Sequence, residues 1–180
     1  YFSFFVKVSD ISVILENFKL KEITMVNKVA WITGAGSGIG EASAIKLSEE
    51  GFIVVLSGRT KQALDSVASK CKGQASVEPL DVSNSEDVEG VFKNIISDYG
   101  RIDVLVASAG LNAKNRNWHN VSEEDFDQII KIDLNGVFYT NRLVLEKMKE
   151  QREGLIINIS SWAGKYVTTL TGPAYTAAKH

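Results

Sequence analysis

The sequence predicts an α/β fold, a doubly wound parallel sheet, on three observations. Five short apolar runs recur along the chain, separated by stretches whose apolar residues follow a helical period. The runs at 52–57, 102–107 and 155–160 are almost wholly apolar, as strands are when helices cover both faces of their sheet. A glycine-rich turn directly follows the first run, where a strand passes into a helix. Alternating strands and helices imply parallel pairing through right-handed crossovers.

Taken in order, residues 28–33 (KVAWIT) are short, apolar and followed by glycines, the pattern of a buried strand. Residues 39–50 carry Ala42, Ala44, Ile45 and Leu47 at helical spacing. Residues 52–57 (FIVVLS) give the second strand, 61–70 the second helix, and 75–80 a weaker third strand. Residues 85–99 put Val88, Val91, Phe92, Ile95 and Ile96 on one helical face. Residues 102–107 (IDVLVA) give the fourth strand. Ser122 caps a long helix whose opening acids, Glu123, Glu124 and Asp125, suit the positive end of the helix dipole. That helix should run to about residue 149 with Gly136 as its weak point, and residues 155–160 (LIINIS) give the fifth strand.

Composition narrows the function classes. A chain of 180 residues, 44% hydrophobic, can bury one core and form one domain. Lys+Arg 20 against Asp+Glu 22, with no dense basic run, points away from nucleic acid and from a membrane surface. Cys71 is the sole cysteine, so neither an internal disulfide nor a thiolate metal cluster is expected. His119 and His180 are too few for a histidine-rich metal site. The first fifteen residues are apolar-rich, but Lys7 and Asp10 break them too often for a membrane span or a secretory signal. The expected location is the cytoplasm. Met25 stands just before the first strand, so residues 1–24 are expected to be a non-native or disordered extension.

Thr33-Gly34-Ala35-Gly36-Ser37-Gly38-Ile39-Gly40 joins the first strand to the first helix. A diphosphate needs backbone N–H donors at a helix N-terminus with no side chains in the way. Gly34 can make the tight turn, Gly38 can let the phosphates approach the backbone, and Gly40 can let helix and strand pack closely. The spacing is T-G-x-x-x-G-x-G. It is neither G-x-G-x-x-G, since Ile39 or Glu41 falls at the last glycine, nor a P-loop, since no Lys-Ser/Thr pair closes it.

This glycine pattern resembles that of the short-chain dehydrogenase/reductase superfamily, and four further features agree over about residues 27–180. Asp81-Val82 follows the third strand, where family members contact adenine. Ala107-Ser108-Ala109-Gly110 is similar to the family's Asn-Asn-Ala-Gly, with both asparagines replaced. Ser161 follows the fifth strand, and Tyr175-Thr176-Ala177-Ala178-Lys179 matches Tyr-x-x-x-Lys. The resemblance implies a Rossmann-like dinucleotide-binding domain over 25–180, holding the active site and incomplete after the fifth strand and the start of the next helix. The 180 residues alone are expected to be inactive. Gly34, Gly36, Ser37, Gly38, Ile39, Gly40, Asp81, Val82, Ser108, Ala109 and Gly110 would hold the cofactor, with Tyr175 and Lys179 at its nicotinamide end. The complete protein is expected to be a homo-oligomer acting on a small carbonyl or alcohol compound.

The second strand ends in Ser57-Gly58-Arg59, where NAD-preferring members carry an acid for the ribose hydroxyls. A guanidinium beside an uncharged residue suits a 2′-phosphate, so NADP is the expected cofactor and NAD the alternative. Ser37 lacks the basic side chain that some NADP-dependent relatives place in the turn.

Tyr175 and Lys179, four residues apart, share one face of a helix. A free phenol titrates near about 10, and lowering it by about three units takes about 4 kcal/mol. One ammonium at about 4 Å, at an effective dielectric near 20, supplies about that much. The resemblance makes Tyr175 the general acid/base, Lys179 its tuner and ribose ligand, and Ser161 a hydrogen-bond partner of the substrate oxygen. In Ile132-Asp133-Leu134-Asn135-Gly136, Asp133 stands where the family has a catalytic asparagine, and as an anion it would resist phenolate formation. Arg116, Trp118, His119, Trp162, Tyr166 and Thr168 lie past strand ends, where substrate binds in such folds. The readings are a hydride-transferring oxidoreductase, a dinucleotide-binding sensor or scaffold without turnover, and a lyase or epimerase that regenerates its cofactor.

Overall fold

The computed structural model describes residues 28–166 and 170–180. The N-terminal extension and Thr168 lie outside them. The described strands are β1 (Val29–Thr33), β2 (Ile53–Gly58), β3 (Ala75–Pro79), β4 (Val104–Ala107) and β5 (Leu155–Asn158). They form a single parallel sheet in the order β3-β2-β1-β4-β5. The helices are α1 (Gly38–Glu49), α2 (Lys61–Ala68), α3 (Ser85–Tyr99), α4 (Glu123–Ile130), α5 (Gly136–Gln151) and α6 (Pro173–Lys179).

Side chains alternate across β1 and divide the core in two. Val29 and Trp31 join Val88, Val91 and Ile95 of α3 and Val144 and Met148 of α5 on one face. Ala30 and Ile32 join Ala44 and Leu47 of α1 and Leu64 and Val67 of α2 on the other. All five residues of β1 are buried, as a central strand with helices on both faces requires. Trp31 is large for that position, and its indole N–H is satisfied by Ser57 Oγ at 2.9 Å.

The long helix expected from Ser122 is capped as predicted, with Ser122 Oγ accepting from the Asp125 N–H at 3.0 Å. It is not one α-helix. A π turn, Lys131–Asn135, separates α4 from α5, with Gly136 directly after it. A Cβ on Gly136 would come within 2.8 Å of Val82 Cγ2, so the chain there passes tight against the segment after β3. The wider turn rotates Asp133 inward, where it is buried.

The sheet reverses direction at β1. The chain runs outward through β2 and β3, then returns to place β4 on the other side of β1. The carboxyl ends of β1 and β4 therefore diverge into a crevice, the place where open α/β sheets bind ligands.

Candidate active site

At that crevice the turn after β1 meets the turn after β4. Gly34 adopts φ +65, and a Cβ there would stand 2.8 Å from the Ala109 backbone. Thr33 Oγ1 receives the N–H groups of Ser108 and Ala109 at 3.2 and 3.3 Å, which ties the two turns together. A Cβ on Gly40 would overlap the carbonyl oxygen of Gly34, so the first turn of α1 lies directly on the end of β1. Around Gly38 nothing lies within 4 Å of where a Cβ would be, which leaves the start of the twelve-residue α1 open.

A cavity of about 300 Å³ extends from this cradle. Gly34, Gly36 and Ser37 of the glycine turn, Arg59 after β2, Asp81 and Val82 after β3, and Ala109 and Gly110 after β4 line it. Asp81 is held below the usual carboxylate range, first by the Ser83 hydroxyl and more weakly by the Arg59 charge. Ser108, Gly38, Ile39 and Gly40 adjoin the cavity in sequence without lining it. The glycine cradle, the open start of α1 and the guanidinium of Arg59 fit a dinucleotide diphosphate and its adenosine.

The second group lies at the other end of the crevice, on α6. Tyr175 is half-buried, and the Lys179 side chain is 8% exposed. Lys179 Nζ is 5.6 Å from the centre of the Tyr175 ring, so the two share a face as expected. Its nearest polar partners are others: Asp133 Oδ2 at 3.2 Å and the Ile159 carbonyl oxygen at 3.2 Å. Asp133 Oδ1 accepts the Leu111 N–H at 2.8 Å. Burial raises the Asp133 pKa, while the Lys179 charge and the Leu111 N–H oppose that rise. Ser161 Oγ caps the short 3-10 turn Trp162–Gly164 by accepting the Ala163 N–H at 3.2 Å.

Ser160 Oγ donates to the Lys179 carbonyl at 2.7 Å, and a Cβ on Gly164 would overlap that same oxygen. The turn after β5 therefore clasps the end of α6. Ser160, Gly164 and the Ile159 carbonyl escaped the sequence reading because their contacts span about fifteen to twenty residues. Thr33 carried a usable signal as the first residue of the glycine motif. Of the residues considered for substrate, Trp162 stacks at 5.3 Å on Tyr166, and Trp118 is 77% exposed.

A family model described as short chain dehydrogenase matches residues 28–180. The chain belongs to the short-chain dehydrogenase family. This short-chain dehydrogenase is 39% identical over 158 residues to an oxidoreductase of Staphylococcus aureus, covering 86% of the chain and 67% of that relative. It is 38% identical over 142 residues to a 3-oxoacyl-[acyl-carrier-protein] reductase of Thermotoga maritima, covering 77% of the chain and 57% of the relative. Among solved structures it superposes on a metagenomic short-chain oxidoreductase in complex with NADP, with TM-score 0.82 and 34% identity. That match covers 87% of the chain and 72% of the other. A serine dehydrogenase complexed with NADP+ matches at TM-score 0.78 and 31% identity, over 84% of the chain and 60% of the other. These likenesses give the chain a Rossmann-like fold and a place in an oxidoreductase family. Among the described residues, no helix is long and apolar enough to cross a membrane.

Proposed function

We propose that the protein moves a hydride between NADP(H) and a carbonyl or secondary alcohol, with Tyr175 as general acid/base. The observation that carries this reading is the pairing of two half-sites across one crevice: a glycine cradle ending at Arg59, and Tyr175 beside a buried Lys179. The cavity residues would hold the adenosine and diphosphate, and Lys179 would reach the nicotinamide ribose. The bound cofactor would supply or accept the hydride at the substrate carbon. Tyr175 would give its phenolic proton to the carbonyl oxygen in reduction and take it back from the hydroxyl in oxidation. Ser161, released from its cap, would hold that oxygen in line.

NADP is favoured over NAD by Arg59, which lines the cavity next to Gly58. The relatives named as a 3-oxoacyl-[acyl-carrier-protein] reductase and a serine dehydrogenase support a carbonyl or alcohol as the substrate class. The cytoplasmic location and the homo-oligomer belong to the same proposal, and cell fractionation and light scattering would test them.

The test is consumption of NADPH with a panel of ketones by the intact protein and by Tyr175→Phe. Turnover by the parent that falls at least a hundredfold in the variant is expected. A parent that binds NADPH tightly but never consumes it would favour a sensor, a reading to which the direct Asp133–Lys179 contact lends some support.

A further inference from the structure

We propose that Asp133 is a positioning residue that holds the Lys179 ammonium in a buried ion pair and thereby keeps the Tyr175 phenol protonated through the neutral range. The inference rests on Tyr175 being the acid/base group.

The geometry is specific. Asp133 Oδ2 and Lys179 Nζ are 3.2 Å apart, with the two side chains 0% and 8% exposed. The ammonium is farther from the phenol, 5.6 Å from its ring centre. Leu111 donates its backbone N–H to the other carboxylate oxygen, which favours the anion. The turn after β4 leaves room for the pair: a Cβ on Gly110 would stand 3.1 Å from Asp133 Oδ2 and 3.3 Å from Lys179 Nζ. Seen from Tyr175, the ammonium and its carboxylate act as a dipole rather than as a free cation. A dipole's field falls off faster with distance than that of a single charge. An asparagine at the same place would leave the ammonium uncompensated and the phenol more acidic.

Among the described residues, α4 meets α6 through Ile129 against Ala174 and Ala178; its Glu123, Glu124 and Asp127 are exposed and its Asp125 is half-buried. The turn after β5 contributes the Ile159 carbonyl dipole, with Lys165 exposed over the Tyr166 ring. On α6 itself, His180 is exposed and contacts the Thr176 carbonyl. Burial raises the Asp133 pKa, so the anion is lost as pH falls through that raised value. The compensation therefore weakens as the pH is lowered.

A phenol that keeps its proton is ready as a donor. The site is then set for carbonyl reduction near neutral pH and for alcohol oxidation only in alkali.

The experiment titrates tyrosinate absorbance in the cofactor-free intact protein, taking the difference between the parent and Tyr175→Phe. Asp133→Asn should move the Tyr175 ionisation down by about one pH unit, a tenfold gain in phenolate. In a Lys179→Met background the buried Asp133 loses the charge that favours its anion, so Asp133→Asn should move the phenol less than in the parent. The inference is overturned if the parent phenol ionises near neutrality, if Asp133→Asn leaves it unmoved, or if the shift is as large without Lys179. The parent's titration decides alone should Asp133→Asn fail to fold. Retention of turnover by Tyr175→Phe would instead sink the acid/base reading, a result these titrations do not produce.

Discussion

Arg59 shows how one side chain can set cofactor choice. It lines the cavity together with residues of the glycine turn, follows Gly58 at the end of β2, and its charge helps hold Asp81 ionised. A 2′-phosphate is a dianion that a guanidinium can bind through two hydrogen bonds, whereas a 2′-hydroxyl gains little from the same group. Arg59→Ala should raise the Michaelis constant for NADPH at least tenfold and that for NADH less than threefold, about 1.4 kcal/mol or more lost from one cofactor only. Steady-state kinetics with both cofactors checks this, and equal effects would remove Arg59 from the recognition of phosphate. The residue was legible in the sequence by its place one step past a strand that lacks the usual acid. The partner of Lys179 was not. A carboxylate forty-six positions away, on a different helix, could be assigned to the site by resemblance, but its direct contact with the ammonium follows only from how the π turn rotates it.

Among the elements, the junction of β1 with α1 tolerates little change. The Gly40 position faces the Gly34 carbonyl with no space for a methyl group, and Gly34 in turn abuts Ala109. Gly40→Ala must push the start of α1 away from the sheet. It should cost about 1–3 kcal/mol of stability through overpacking and weaken dinucleotide binding with it. Urea denaturation and a cofactor titration measure the two effects, and a variant as stable as the parent would contradict the packing. By contrast, α3 runs over the residues the periodicity assigns. Asn84 Oδ1 accepts the Glu86 N–H at 3.0 Å at its start, and Gly100 ends it at φ 73. Helices set by local capping and period read well from sequence. In the α4–α5 span the sequence marks Gly136 as the weak point, and the π turn ends directly before it; the close approach of Gly136 to Val82, a contact across fifty-four positions, is not legible locally.

For the molecule as a whole, the amino end of the sheet carries the structural load and the carboxyl end the chemistry. Asp103, buried just before β4, accepts the Val29 N–H at 2.8 Å and is gripped by Arg101, which also approaches Glu153 at 3.8 Å. Lys28 binds Glu153 at 2.6 Å, so the starts of β1, β4 and β5 are laced together far from the active site. Asp103→Ala leaves the Val29 N–H without its acceptor and should cost about 1–3 kcal/mol. A urea midpoint lowered accordingly, with the cofactor affinity of the folded protein unchanged, is the expected outcome. A loss of affinity without loss of stability would contradict this division of labour.

Strand and helix order, the glycine cradle and the spacing of Tyr175 to Lys179 were all written in local pattern, because hydrophobic period, turn chemistry and i,i+4 geometry act over a few residues. Sheet order, the crevice where Gly34 meets Ala109, the clasp of Ser160 on Lys179 and the pairing of Lys179 with Asp133 came from tertiary structure alone. Each of these joins groups far apart in the chain. Which distant groups meet depends on how the covered faces of the sheet pack, and no short window of sequence encodes that.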